Sequence, residues 1–217
     1  MDILNQENNR IGTVVAILIA IVTVLAALVT WRSSVAQDGA GDEALAGERA
    51  TLNVEETRAL NYVNAYESYG AYTTYKRYMA LGDLIEEEQA NVSEVEALQL
   101  ELKAVEAYNL AVANQGLFPN KFLKRDGSYD LPGELGEMWA DAVKQKDLNP
   151  ATHFDLFLKL QKKSSWFLLD LTILAIALVF FSLVESVSQR VKILLTAFGS
   201  LFMLFGAVAA FLIEIRM

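Results

Sequence analysis

The sequence predicts an all-α membrane protein with three transmembrane helices and a water-facing helical-hairpin domain between the first and second. Three observations predict it. Three runs of 19 to 21 residues are almost free of charge. The net charge is concentrated between the first run and the second. No stretch alternates polar and apolar residues as a half-buried strand would. The 217 residues are 53% hydrophobic and 21% charged, with a formal net charge of −9. Without a single Cys, disulfide scaffolds and thiolate metal sites are excluded. The acidic balance argues against nucleic-acid partners. The apolar content argues against disorder.

Taken in order, residues 1–11 read as a short tail and 12–31 as transmembrane helix 1. Gly12 to Trp31 carries no charge over 20 residues. At about 1.5 Å per residue this spans roughly 30 Å, the thickness of a bilayer's hydrocarbon core. The run exceeds the roughly 7–15 apolar residues of a signal peptide, which predicts an uncleaved anchor. The small residues Ser33 to Gln37 still resemble a cleavage site. Residues 32–52 read as a linker, because Asp38 to Arg49 is rich in Gly and Ala.

Residues 53–165 read as an acidic helical domain. From 33 to 165 the chain holds 22 acidic and 13 basic side chains, which accounts for the whole net charge. Asn53 with Glu56 has the spacing of a helix N-terminal cap. A helix is expected from Val54 to about Leu81, where Gly82 can end it. Asp83 to Glu86 and Ser93 to Glu96 repeat the capping pattern, so the chain turns at one of these or runs on with a kink. Val95, Leu98, Leu102, Val105 and Val112 then keep a 3-4 spacing with Asn109 in the gap. That is a narrow, coiled-coil-like seam for packing against another helix. Asn109 either fixes register within the seam or faces water at a frayed end. Residues 117–132 read as irregular, with turn signals at Pro119, Asp126-Gly127 and Pro132. A short helix is expected from Glu134 to Lys146, with Met138 and Trp139 inward. Asn149-Pro150 opens a helix of about 35 residues that begins in water and ends in the membrane.

That helix contains transmembrane helix 2, residues 166–184, with Asp170 as its one charge. A short loop, 185–192, leads to transmembrane helix 3, 193–213, and a tail, 214–217. Trp31 and Trp166 stand at span edges, and Arg10, Arg32, Lys162, Lys163, Lys192 and Arg216 bracket the spans. Spans 2 and 3 should pack antiparallel. Counting basic residues near span ends puts the middle domain in the cytoplasm. Giving short loops their greater weight puts it outside, so charge selects neither side.

Six of the eight tyrosines, Tyr62, Tyr66, Tyr69, Tyr72, Tyr75 and Tyr78, crowd one helix. Their spacing winds the rings around it, which suits a crowded core or a partner-binding surface. Asp170 lies one turn inside span 2, about 6 Å past Trp166. There it is expected to reach water or a neighbouring helix; its functional alternative is an ion or proton site. His153 with Asp155 is a weak metal pair, and Glu86 to Glu88 reads as a solvated face. Ala16 with Ala20, and Gly206 with Ala210, are small-xxx-small pairs suited to close helix approach. No phosphate loop or nucleophile elbow occurs, and no cofactor is expected.

The layout of Gly12 to Trp31, the aromatic helix from Tyr62 to Tyr78, His153 ahead of span 2, and a third span with Gly199 and Gly206 resembles an uncharacterised family of small bacterial membrane proteins. That resemblance implies one N-terminal span, a central helical segment and a closing pair of spans, and no activity. The expected location is a bacterial plasma membrane, with the orientation undecided. The expected role is non-enzymatic: an interaction or assembly subunit, self-associated or docked on another membrane protein. The alternative is an oligomeric channel or transporter component with Asp170 near the pore mouth.

Overall fold

The computed structural model describes residues 2–216, with side chains from Ile11 onward, so the side chain of Arg10, expected to flank the first span, lies outside what is described. Five α-helices follow one another: α1 (Asp2–Gln89), α2 (Glu94–Gln115), α3 (Leu131–Gln145), α4 (Pro150–Leu183) and α5 (Gln189–Arg216). The described residues contain no β-strand, only one isolated bridge between Leu123 and Tyr129. Among the described residues three helices are long and apolar enough to cross a membrane: α1, the helix opening at Pro150, and α5. The chain divides into two compact units, residues 1–49 with 149–217, and residues 50–148.

In the first unit, α1 buries Val15, Val22 and Val29, then Ala36, at seven-residue intervals. A seven-residue repeat keeps one seam of a helix against its neighbours. On α4 the matching seam is Phe167, Asp170, Leu174, Ala177 and Phe181, in 3-4 spacing. α5 answers with small residues: Gly199 and Gly206, seven apart, are buried. A Cβ on Gly199 would lie 2.7 Å from the Phe181 ring, and one on Gly206 would lie 2.7 Å from Leu174 Cδ2. Large side chains of α4 thus fill spaces opened by glycines of α5. Facing away from this core, Ile17, Val24, Leu28, Leu169, Phe205 and Phe211 are exposed. So much exposed apolar surface is costly in water and marks a face that meets lipid or another protein.

Residues 32–52 are helical, not a linker. The Gly and Ala content that suggested flexibility serves close packing instead. Ala36 and Ala40 are buried, Gly39 faces Leu160, and a Cβ on Gly47 would meet the Phe154 ring at 3.0 Å. Ser33 Oγ lies 3.0 Å from Ser164 Oγ, and His153 Nδ1 lies 2.7 Å from Glu43 Oε2. Residues 149–165 therefore belong with the spans, and the acidic domain expected over 53–165 contracts to a unit of residues 50–148. The tail expected over 1–11 is helical from Asp2. The loop expected over 185–192 is shorter, since α5 starts at Gln189 and amides of Val191 and Lys192 donate to the Ser188 carbonyl. The long helix expected from Pro150 is present as α4.

In the second unit, neither Asn53 nor Gly82 bounds a helix, because α1 runs through both. Gly82 is needed for another reason. The Tyr108 ring of α2 lies directly on it, in the space a Cβ would take. The turn comes at Ala90 to Ser93. There the Glu96 carboxylate accepts from the Ser93 amide at 3.3 Å and from its hydroxyl at 2.7 Å, so the third capping pattern is the one that starts a helix. In the irregular stretch, Gly127 has φ +77°, where a side chain would be strained. Asp126 Oδ1 accepts from the Ser128 amide at 2.9 Å and holds this turn. α3 begins three residues earlier than expected, at Leu131, with Pro132 in its first turn.

Candidate functional site

α2 has two unlike faces. Its buried residues are Ala104, Ala107 and Ala111. Small side chains let helices approach closely, and the neighbouring contact is Tyr108 on Gly82 of α1. The Tyr108 hydroxyl donates to Asp83 Oδ1 at 2.9 Å. Loss of hydration, then the bond to Asp83, pushes the Tyr108 phenol up to about 12.

The seam of larger residues points elsewhere. Val95, Leu98, Leu102, Val105 and Val112 are all exposed, with Leu102 at 66%. Asn109 is exposed among them. The expectation that this seam packs a helix is thus not met among the described residues: the buried face is the alanine face. Small side chains permit close approach, and the row of Leu and Val is turned away from them.

The tyrosines separate into two groups. Tyr72 is buried, and its hydroxyl donates to the Gly127 carbonyl at 2.6 Å. It stacks on Tyr129 at 5.3 Å and meets Phe118 edge-on at 5.7 Å; Tyr75 also contacts Phe118, and Tyr69 contacts Tyr72. Tyr72 is therefore core and is not available to a partner. Tyr129 is held by burial and by a 2.8 Å bond to the buried Glu134, which push its phenol well above the usual range. Tyr62 and Tyr66 are exposed and stacked at 6.2 Å. Tyr62 also lines a groove with Arg58, Asn61 and Trp139. Tyr78 carries the Arg77 guanidinium at 5.2 Å from its ring centre.

Asp170 does not reach water. It is 2% exposed, and neither carboxylate oxygen has a hydrogen-bond partner among the described residues. Its place in the α4 seam turns it toward α5, where a Cβ on Gly206 would lie 3.4 Å from Oδ1. The small-residue pairs divide likewise. Gly206 is buried and Ala210 packs on the core, but Ala16 and Ala20 are exposed, because α1 turns its valines inward instead.

Glu214 belongs to none of the sequence patterns above. It pairs with Arg32 of α1 and, at 3.1 Å, with Lys163 of α4. All three helices are tied at this end. The signal was legible: with three spans, Arg32, Lys163 and Glu214 all fall on the same side. Among the described residues no group of three or more His, Asp or Glu side chains could hold a metal.

Fold and surface together define an all-helical protein with three helices long and apolar enough to cross a membrane. No family model, no curated protein and no solved structure matches the chain.

Proposed function

We propose that this protein is a non-enzymatic integral membrane subunit that works by association. Residues 12–31, 166–184 and 193–213 cross the bilayer, the unit 50–148 faces water, and α2 presents the docking surface. One observation carries this reading: α2 satisfies its own chain with alanines and leaves its row of Leu and Val exposed. A soluble surface rarely keeps such a row without a use. Tyr62 and Tyr66 supply a second, smaller aromatic patch of the kind enriched at interfaces. The test is the stoichiometry of the full-length protein purified in mild detergent, by light scattering with detergent correction. An oligomer or a stoichiometric complex is expected. A single copy that co-purifies with nothing refutes the reading.

One observation favours a second reading, an oligomeric channel or transporter component. Asp170 is a carboxylate buried in a span without a hydrogen-bond partner among the described residues, and such groups are expensive to keep. Asp170→Asn should abolish an ion or proton flux in liposomes if that reading holds. Unchanged flux removes it.

A further inference from the structure

From the geometry of α2 we infer the occupant of its exposed seam: the α2 helix of a second copy, in parallel and in register. The inference rests on the association reading above and names its partner. Val95, Leu98, Leu102, Val105, Asn109 and Val112 follow a 3-4-3-4-3 spacing without a break. These are the a and d places of a heptad repeat, the pattern that two supercoiled helices share. Ala104, Ala107 and Ala111 occupy the opposite side and are already buried, and the described residues leave the Leu and Val seam uncovered.

The polar residue selects the partner and its direction. Asn109 stands at an a place. In a parallel, in-register pair the two-fold axis sets Asn109 against its own copy, where the amides bond to each other. An antiparallel pair centred on the same seam would set Asn109 against Leu98 and leave the amide unpaired. An unrelated helix would need an Asn of its own at the same place.

The area is sufficient. Five half- to three-quarter-exposed Leu and Val side chains offer roughly 500 Å² per copy, about 1,000 Å² in total, the lower bound for a specific interface. Confinement of both copies to one membrane raises their effective concentration and favours so small a contact. The pairing has one unfavourable feature. Glu101 at a g place would face Glu106 at the e place of its copy, twice by symmetry. That like-charge contact provides a discriminating test.

The 217-residue sequence has no Cys, so one engineered thiol reports on one place. Val112→Cys should give a covalent dimer under mild oxidation in membranes, because d places meet their own copies only in the parallel register. Adding Leu102→Glu, at an exposed position, should reduce that dimer at least tenfold while far-UV circular dichroism stays unchanged. Glu101→Lys turns two repulsions into two attractions and should tighten the dimer seen by sedimentation roughly tenfold. No covalent dimer through Val112→Cys, or no tightening by Glu101→Lys, overturns the parallel pairing. Should sedimentation show a dimer indifferent to Leu102→Glu, the seam assignment falls and self-association through another surface survives. Should the protein stay a single copy at every concentration, both fall.

Discussion

Replacing Gly199 with Ala tests whether α4 and α5 are held by the fit of large residues into glycine gaps. The added Cβ would lie 2.7, 2.9 and 3.0 Å from three carbons of the Phe181 ring. That ring is fully buried, so it cannot swing aside as the end of a long side chain would. Overpacking by one methyl in a tight core costs about 1–3 kcal/mol. Ala is a better helix former than Gly by about 1 kcal/mol. The net is a loss of about 1 kcal/mol, or roughly 2–4 °C in melting temperature for a protein of this size. Gly12→Ala is the control, because nothing lies within 4 Å of the Cβ it would add; it should be neutral or stabilising. Gly199→Leu should prevent native packing of α5. The assay is thermal unfolding of the full-length protein in detergent, followed by tryptophan fluorescence. Phe181→Leu makes room for the added methyl, so in the double variant the two losses should fail to add. If Gly199→Ala stabilises as much as Gly12→Ala, or if the two losses add fully, the interlocking account of these helices is wrong.

Three further outcomes follow from the second unit. Tyr72→Phe removes the bond to the Gly127 carbonyl and should cost about 1 kcal/mol in denaturant unfolding, with loss of near-ultraviolet dichroism as the turn loosens. The Tyr108 phenol is raised above its ordinary 10.0 to about 12, so its stabilising effect is complete below pH 10 and disappears as pH rises through about 12; a titration at 295 nm should show late ionisation from both Tyr108 and Tyr129, with the step near pH 12 lost in Tyr108→Phe and the later Tyr129 step retained. Ser93→Ala should fray the start of α2, read as faster hydrogen exchange at Glu94 to Glu96. The bonds from Ser93 hold the Glu96 carboxyl below its ordinary value, so that support is present at neutral pH and lost as pH falls through the lowered value; Glu96→Gln should remove this acid dependence.

The apolar runs, the Pro150 start of α4 and the Ser93 to Glu96 capping box were legible because each depends on neighbours within a turn or two of helix. Gly82 and the segment from Asp38 to Arg49 were misread for one shared reason. A glycine that ends a helix and a glycine that admits a ring look identical in sequence. The ring at Gly82 belongs to Tyr108, 26 residues away, and the ring at Gly47 belongs to Phe154, more than 100 residues away. The spacing of Ala16 and Ala20 suits close packing, but spacing alone does not say which face of α1 turns inward.

By itself, then, the sequence determined that this chain is helical, where it is oily enough to cross a bilayer, and that its acidic charge lies between the first two such stretches. Helix propensity, capping and hydropathy are local properties, and a linear reading captures them. Only the tertiary structure decided that Asp170 is buried without a hydrogen-bond partner among the described residues, that Glu214 ties three helices together, and that α2 turns alanines inward and leucines outward. Each of these depends on which residue of a distant segment stands opposite, and that is set by how closely two helix axes approach, a quantity no single stretch of sequence carries.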